Sequence, residues 1–193
     1  MAAARVYRAD SSTQRASWGA MLAWGALSFL PDADVIGFGL GVRYGDEWGH
    51  RGATHSLAFA LAVGVALGLL APLVRRSAVR TGVMATLVLA SHSLLDTFTD
   101  GGLGCALLWP FDDTRYFAPW RPLPVSPIGL GYLSPYGMYV AVTEIVLFAP
   151  VLWYALRPRT AAYAVTSRDS VRALLIVGWL LSIWLLMSSR PLG

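Results

Sequence analysis

Thr54–Val74, with the sequence THSLAFALAVGVALGLLAPLV, is a run of 21 residues that contains no Asp, Glu, Lys or Arg. An α-helix rises about 1.5 Å per residue, so a helix of this length spans roughly 31 Å, close to the hydrocarbon thickness of a bilayer. The segment therefore predicts a transmembrane helix, and it is the clearest of several in the chain.

Further apolar runs lie on both sides of this one. Three are of similar length, Ala78–Phe98, Tyr136–Leu156 and Val171–Met187, and a shorter one, Ser17–Leu30, ends at Pro31 and precedes the Gly-rich residues Val35–Val42. The shorter run suits a short span followed by a re-entrant or surface turn. Its arginine-containing start also resembles a signal peptide, but no clean small-x-small cleavage site follows, so we favour a retained helix.

These runs predict an all-α fold, a polytopic membrane helix bundle with about five transmembrane helices. The predicted spans are 17–30, 54–74, 78–98, 136–156 and 171–187, within a single integral membrane domain, residues 1–193. A hydrophobic content of 56% with only 13% charged residues is too apolar for a soluble domain. No basic stripe interleaved with aromatics is present, so we expect no nucleic-acid partner, and the lone Cys105 excludes an internal disulfide.

The fifteen basic residues are all arginine, and their placement predicts the orientation of the bundle. Positive residues near span ends tend to stay cytoplasmic. Ten share one predicted side: Arg5, Arg8, Arg15, Arg75, Arg76, Arg80, Arg157, Arg159, Arg168 and Arg172. The other five are Arg43, Arg51, Arg115, Arg121 and Arg190. The amino terminus is therefore predicted inside and the carboxyl terminus outside.

The same topology places the connection 99–135 outside the cell, as a long extracytoplasmic loop. It is rich in glycine, proline and aromatic residues, among them Trp109, Phe111 and Trp120. Its prolines exclude a long helix, and loops of this length are often functional. The loop is predicted to cap the bundle, while its aromatic residues would equally serve as anchors at the membrane interface.

All three histidines lie among aspartates at the ends of apolar runs. His92 and Asp96 are four residues apart on a predicted helix, so their side chains share one face and can bind one ion. Asp100 continues that face if the helix extends so far, although Gly101 and Gly102 suggest that it stops. A His-x-x-x-Asp pair is more often a hydrogen-bonded helix pair, but ionisable groups in membrane segments are functional candidates.

Two further clusters precede this pair. Asp32 and Asp34 follow Pro31, where their carboxylates suit either metal binding and support of a histidine or simply a turn and helix cap. His50 and His55 precede the second span, where His55 would point into the mouth of the bundle. Imidazole and carboxylate are ligands that zinc and related transition metals accept.

Three blocks in fixed order carry a family resemblance. They are Leu30-Pro31-Asp32-Ala33-Asp34, His50-Arg51-Gly52-Ala53-Thr54-His55-Ser56 and Ser91-His92-Ser93-Leu94-Leu95-Asp96-Thr97, with Gly101, Trp109-Pro110-Phe111 and Arg115-Tyr116-Phe117 after them. This combination resembles the YdjM/DUF457 family, whose members are regarded as membrane-bound, predicted metal-dependent hydrolases. The resemblance implies an integral protein of a bacterial-type inner membrane.

A more distant similarity is to the zinc phospholipase C and single-strand nuclease group. There a buried zinc is held by an aspartate, a histidine and a later His-x-x-x-Asp pair, which Asp34, His55 or His50, His92 and Asp96 match in order. That group's amino-terminal ligands and later histidines have no counterpart here. The similarity therefore implies one or two ions rather than three.

The candidate metal ligands are Asp34, His50, His55, His92 and Asp96, with a divalent cation as cofactor and zinc favoured. Three acids are candidate catalytic groups. Asp32 and Asp100 are each a possible base or bridging ligand. Glu144 lies about two turns into the fourth span, where an unpaired carboxylate is costly, so it is either a partner of a ligand histidine, a base, or a protonated group bonded to Thr143 or Ser93.

Arg51 and Arg115 are candidate substrate-binding residues, because guanidinium groups hold phosphate well. The alternative is that they pair with nearby acids: Asp46, Glu47, Asp112 or Asp113. The function predicted is a membrane-bound metal-dependent hydrolase, favouring a phosphoester of an amphiphilic or lipid-like molecule. The partners are then the lipid bilayer and a phosphorylated or amphiphilic substrate. The alternatives are an ion or small-molecule transporter, and a structural protein whose helices a metal pins together. The sequence does not fix the oligomeric state.

Overall fold

The computed structural model describes residues 18–156 and 178–179 of the protein. The described residues form α-helices and 3-10 segments and no β-strand, which confirms the all-α prediction. The helices are α1 (Trp18–Ser28), α2 (Leu57–Leu70), α3 (Ala78–Thr97) and α4 (Pro135–Leu156), and the 3-10 segments are Pro31–Leu40, Ala53–His55, Ala71–Val74 and Gly129–Leu133.

Two helices of the described chain are long and apolar enough to cross a membrane. They are α2 with its 3-10 extension, Leu57–Val74, and α3. The helix Gly19–Ser28 and the segment Pro31–Leu40 meet at a 59° bend and count as a third if they form one span. The described residues thus support two or three spans, and the predicted count of five is not confirmed. Only residues 178–179 of the predicted last span, 171–187, are described.

The bend after α1 and the ends of α2 and α3 follow from the local sequence. Pro31, which lacks an N–H, opens the 3-10 segment that leads away from α1. Ser56 begins α2 by accepting a hydrogen bond from Phe59 N at 3.0 Å, and Ser77 caps α3 through Arg80 N. Between them Arg75 adopts a left-handed conformation, φ 57°, that closes the turn. The result is a tight helical hairpin.

The hairpin is held by close backbone contact at three glycines. A Cβ on Gly64 would lie 2.8 Å from the carbonyl oxygen of Gly82 and would also collide with the hydroxyl of Thr86. A Cβ on Gly68 would lie 3.3 Å from the Cα of Gly82. Small residues let helices approach closely where lipid supplies no hydrophobic driving force between them. This close approach fixes the end of α3 next to the start of α2.

The described chain divides into two compact units, residues 18–121 and residues 122–156 with 178–179. The first contains α1, α2, α3 and the loop as far as Arg121. In the second, the segment Gly129–Leu133 packs against α4, and Tyr136 Oη donates to Val125 O at 3.0 Å. Between residues 99 and 134 the only helical element is the 3-10 segment Gly129–Leu133, as the prolines predict.

Candidate metal centre

Three separate segments of the first unit bring four ligand-type side chains together. Asp32 comes from the segment Pro31–Leu40, His55 ends the 3-10 turn just before α2, and His92 and Asp96 lie one turn apart near the carboxyl end of α3. One ligand atom from each lies within 4.8 Å of all the others. These four residues are called the metal centre below.

The distances inside the metal centre are short. Asp32 Oδ1 lies 3.3 Å from Nε2 of His55 and 3.3 Å from Nε2 of His92, while Asp96 Oδ2 lies 3.5 Å from Nε2 of His55. Both Nε2 atoms are buried and lack a hydrogen-bond partner among the described residues. Each nitrogen still faces a carboxylate at ion-pair distance, as buried Arg51 Nε faces Asp96, and a cation between the imidazoles and the carboxylates would give both nitrogens a closer partner.

These separations fit a tetrahedral metal ion. Zinc binds histidine nitrogen and carboxylate oxygen at roughly 2.0 to 2.2 Å, which places neighbouring ligand atoms of a tetrahedron about 3.3 to 3.6 Å apart. The three distances measured between the carboxylate oxygens and the imidazole nitrogens fall within this range. These three separations, with all four ligand atoms within 4.8 Å of one another, make the metal centre a candidate site for a divalent ion.

Asp34 lies on the Nδ1 side of His55, away from the metal centre, and accepts several buried hydrogen bonds. Its side chain is 1% exposed and accepts from Thr54 Oγ1 at 2.8 Å, Arg51 N at 3.2 Å and His50 Nδ1 at 2.8 Å. The other ring nitrogen of His55, Nδ1, lies 3.2 Å from Asp34 Oδ2. A carboxylate in this position fixes the ring orientation and leaves Nε2 free to face the metal centre.

Asp34, His50 and His55 also form a group with ligand-type spacing. However, the contact of 2.8 Å between His50 and Asp34 is the length of a hydrogen bond, shorter than the separation of two ligands around zinc. Of the predicted ligands, His55, His92 and Asp96 lie in the metal centre, while Asp34 and His50 form the second group together with His55, and their role as ligands stays a prediction. Asp32, expected from the sequence to be catalytic, lies in the metal centre itself.

The loop that presents His50 and His55 is compact for reasons visible in its sequence. A Cβ on Gly49 would collide with the carbonyl groups of Arg43 and Tyr44, and one on Gly52 would lie 2.8 Å from the carbonyl oxygen of Gly49. Only glycine permits such close backbone approach. The amide of Ala53 then donates to Glu47 O at 2.8 Å and starts the turn that ends at His55.

Arg51 is buried, 4% exposed, and bonded within the fold. Its Nε lies 3.1 Å from Asp96 Oδ2, and its other nitrogen Nη1 donates to Thr99 Oγ1 at 2.8 Å and to Gly101 O at 3.1 Å. Its backbone has φ 63°, a left-handed conformation that is uncommon for a residue with a Cβ. The side chain therefore holds the carboxylate of Asp96 in place.

Arg115 binds backbone rather than acids. Its guanidinium donates to His50 O at 2.9 Å and to Asp46 O at 2.9 Å, with a longer contact of 3.4 Å to Tyr44 O. It thus fastens the loop that precedes His55. The roles predicted for Arg51 and Arg115 in binding substrate stay predictions.

The protonation of His55 follows from its surroundings. Burial alone would lower the pKa of this imidazole, but the carboxylates of Asp32, Asp34 and Asp96 outweigh that effect and raise the pKa to about 10. In the protein without metal, His55 is therefore an imidazolium ion at neutral pH. A metal ion would replace that proton.

Two predicted catalytic acids lie outside the metal centre. Helix α3 ends at Thr97, so Asp100 is no longer on the helix face of His92 and is exposed. Glu144 belongs to the second unit, where its Oε1 accepts from Ser126 Oγ at 2.6 Å, whereas the hydroxyl of Thr143 donates to Tyr139 O. Their catalytic roles stay predictions.

Sequence reasoning missed two hydroxyl groups that support the site. Thr54 donates to Asp34, and Thr99 accepts from Arg51. Thr54 adjoins His55 in the sequence, which is a weak sign of a shared role. Thr99 carries no such sign, because its contact depends on where the chain turns after α3.

Comparison with known proteins places this chain in a family. The family model described as the YdjM inner membrane protein matches residues 1–190. The chain is also 43% identical over 144 residues to the inner membrane protein YbcI of Escherichia coli (strain K12), covering 68% of this chain and 81% of that protein. No solved structure shows significant similarity to it. The chain is thus a membrane protein that belongs to the YdjM inner membrane protein family.

Proposed function

We propose that the protein is a membrane-bound, metal-dependent hydrolase that cleaves a phosphoester of an amphiphilic substrate. One observation carries this proposal: two buried histidine nitrogens and two carboxylates from three segments converge, with nitrogen-to-oxygen distances of 3.3 to 3.5 Å and all four ligand atoms within 4.8 Å of one another. In this proposal His55, His92 and Asp96 would hold one divalent cation, which leaves the fourth position, beside Asp32, for water; zinc suits this mixture of ligands.

The surrounding residues then have distinct tasks. Asp34 orients His55 through Nδ1, and His50 supports Asp34. Arg51 holds Asp96 and offsets part of the negative charge that two carboxylates bring to a buried place. Removing supporting contacts of this kind commonly lowers metal affinity by about 10-fold to 100-fold.

The proposed chemistry is hydrolysis by water. A bound divalent cation lowers the pKa of a coordinated water towards neutrality and polarises a phosphoryl oxygen. The side chain of Asp32 is 36% exposed, whereas those of Asp96 and His92 are 19% and 16% exposed and that of His55 is inaccessible. Asp32 is therefore the best placed of the four to accept a proton from the attacking water and pass it to solvent.

An amphiphilic substrate suits the surroundings of the metal centre. Large apolar side chains near it in sequence are exposed, including Phe29 at 67%, Ile36 at 69% and Leu95 at 42%. In a protein of the inner membrane, such residues meet lipid rather than water. A lipid-like molecule can present its polar head to the metal centre while its chains remain among lipids.

The side of the membrane is also proposed. The metal centre lies at the start of α2 and the end of α3, whereas Arg75, Arg76 and Arg80 lie at the opposite end of this hairpin. The 18 residues of Leu57–Val74 span roughly 27 Å, enough to separate the two ends across the hydrocarbon core. The arginines favour the cytoplasm, which leaves the metal centre on the extracytoplasmic side and the amino terminus inside.

The experiment that tests this function combines metal analysis with turnover. The full-length protein is purified in detergent, its bound metal is measured, and phosphodiesters and phospholipids are assayed as substrates. The variant His92→Ala is expected to lose the metal and at least 100-fold in turnover. Ser91→Ala is the matched control, because Ser91 is exposed on the same helix and only bonds to Val88 O. Equal turnover by His92→Ala and the control would refute the proposed mechanism.

A structural role is the second candidate, favoured by the fact that the metal centre joins three segments of the chain. In that case removing the metal lowers the melting temperature, yet no substrate is turned over by the loaded protein. A transport role has less support, because α2 from Leu57 to Leu70 contains only apolar side chains and glycine and offers no polar path.

A further inference from the structure

A cluster of apolar side chains projects from the loop beside the metal centre. Phe111 is 92% exposed, Trp48 is 55% exposed and Leu108 is 47% exposed. The ring of Trp109 meets that of Trp48 edge to face, with centroids 5.4 Å apart. These four residues are called the aromatic tip. Exposed apolar groups gathered in this way usually mark a surface that binds a partner or a membrane.

The aromatic tip is held in a fixed shape by the backbone around it. Cys105 and Tyr116 exchange two backbone hydrogen bonds, of 3.0 Å and 2.8 Å, at the base of the loop. At its end, Phe111 N donates to Leu108 O at 2.9 Å. A rigid loop loses little conformational entropy when its apolar residues are buried, so this shape favours insertion.

A backbone hydrogen bond also fixes the loop against the first turn of α2. Leu57 N, at the start of that helix, donates to Leu107 O at 3.0 Å. Below this point Leu57, Leu61 and Val65 are 39%, 56% and 51% exposed and recur every four residues, which makes them one lipid-facing stripe. The aromatic tip therefore adjoins the lipid-facing stripe at the amino-terminal end of α2.

Polar groups border the aromatic tip on its other side. The indole N–H of Trp109 donates to Glu47 Oε1 at 2.6 Å, and Asp112 and Asp113 follow Phe111 directly. Tryptophan residues with an apolar face and a bonded N–H concentrate at the boundary between headgroups and hydrocarbon. The change from aromatic to acidic residues marks where that boundary would cross the loop.

We propose that the aromatic tip inserts into the headgroup boundary of the leaflet on the side of the metal centre. The partner is the lipid bilayer itself, chosen over a second copy of the chain because the tip continues the lipid-facing stripe of α2. His55 lies two residues before Leu57, so insertion holds the metal centre level with lipid headgroups. This inference concerns membrane depth and does not depend on the proposed hydrolysis.

Spin labels at single cysteines test the insertion. The protein has one cysteine, the buried Cys105, so Cys105→Ala gives a clean background. Nitroxides on Phe111→Cys and, separately, Leu108→Cys are compared with one on Asp113→Cys, the control two residues beyond Phe111. All are reconstituted in phosphatidylcholine and phosphatidylglycerol vesicles, and collision rates with oxygen and with a water-soluble nickel chelate are measured.

The expected result is a ratio of oxygen to nickel collisions at least three times higher at positions 108 and 111 than at position 113. A ratio at Phe111→Cys and Leu108→Cys equal to that of the control would overturn the proposal, since the tip would then lie in water. Strong dipolar coupling between labels on different molecules would also overturn it, because a second copy would then cover the tip. The two labelled positions guard against a local disturbance at either one.

Discussion

Asp32 and Asp34 differ in their tasks although only one residue separates them. In the 3-10 segment three residues complete a turn, so side chains two apart point about 120° from each other. Asp32 faces the two imidazole Nε2 atoms, while Asp34 lies behind His55 and bonds to its Nδ1 side. Two identical carboxylates thus reach opposite sides of one imidazole ring.

Replacing Asp34 should weaken metal binding without removing a ligand. Asp34→Asn loses the negative charge that holds His55, and it places an N–H₂ group where acceptors are needed by Thr54, Arg51 and His50. We expect zinc affinity to fall by about 10-fold to 100-fold, measured by competition with a chelating indicator. Asp113→Asn, exposed in the loop, is the control. Unchanged affinity in Asp34→Asn would contradict the supporting role.

Metal uptake should release a proton at neutral pH. The raised pKa of His55, about 10, means that the metal-free protein carries this proton below that pH. We expect about one proton released per ion between pH 7 and 9, measured by calorimetry in buffers with different ionisation enthalpies. Uptake without proton release would show that His55 is not a ligand.

The same group makes the stability of the metal-free protein depend on pH. Folding raises the pKa of His55 from 6.5 to about 10. Protonated His55 therefore contributes fully to the free energy of unfolding below about pH 6.5, and this contribution is lost as the pH rises towards 10. The melting temperature of the metal-free protein should therefore fall across that window. With metal bound, the loss should largely disappear.

At the scale of the helices, the site depends on how closely α2 and α3 approach. Gly64 contacts Gly82 and Thr86 where a methyl group has no room. Gly64→Ala should separate the helices and destabilise the protein by about 1 to 3 kcal/mol. The check is thermal unfolding in detergent followed by circular dichroism. Gly25→Ala is the control, because a Cβ there meets nothing within 4 Å.

The helices could be predicted from the sequence more completely than the contacts between their side chains. The pair His92 and Asp96 could be placed on one helix face from spacing alone, since that depends only on helix geometry. The placement of Asp32 and Asp34 on opposite sides of His55 could not be predicted, because it depends on how a short 3-10 segment rotates against α3. The hydrogen bond from Arg51 to Thr99 could not be predicted either, because it requires the turn at Thr99 to lie beside the loop at His50.

At the scale of the whole molecule, the two ends of the helical hairpin should face different compartments. Cysteine at Asp100, beyond α3, should react with a membrane-impermeant maleimide added to intact spheroplasts. Cysteine at Arg76, in the turn that keeps Arg75 and Arg80, should react only after permeabilisation. Both are made with Cys105→Ala. Labelling of Arg76→Cys first would reverse the proposed orientation.

The order of the ligands along the chain constrains biogenesis. Asp32 emerges from the ribosome long before His55, and the donors are complete only once Asp96 has been synthesised. Since these donors come from segments on both sides of α2, the translocon must release both helices of the hairpin before an ion can be captured. If the proposed cation binds, loading would come last in maturation, and cells starved of the metal should accumulate inserted, metal-free protein.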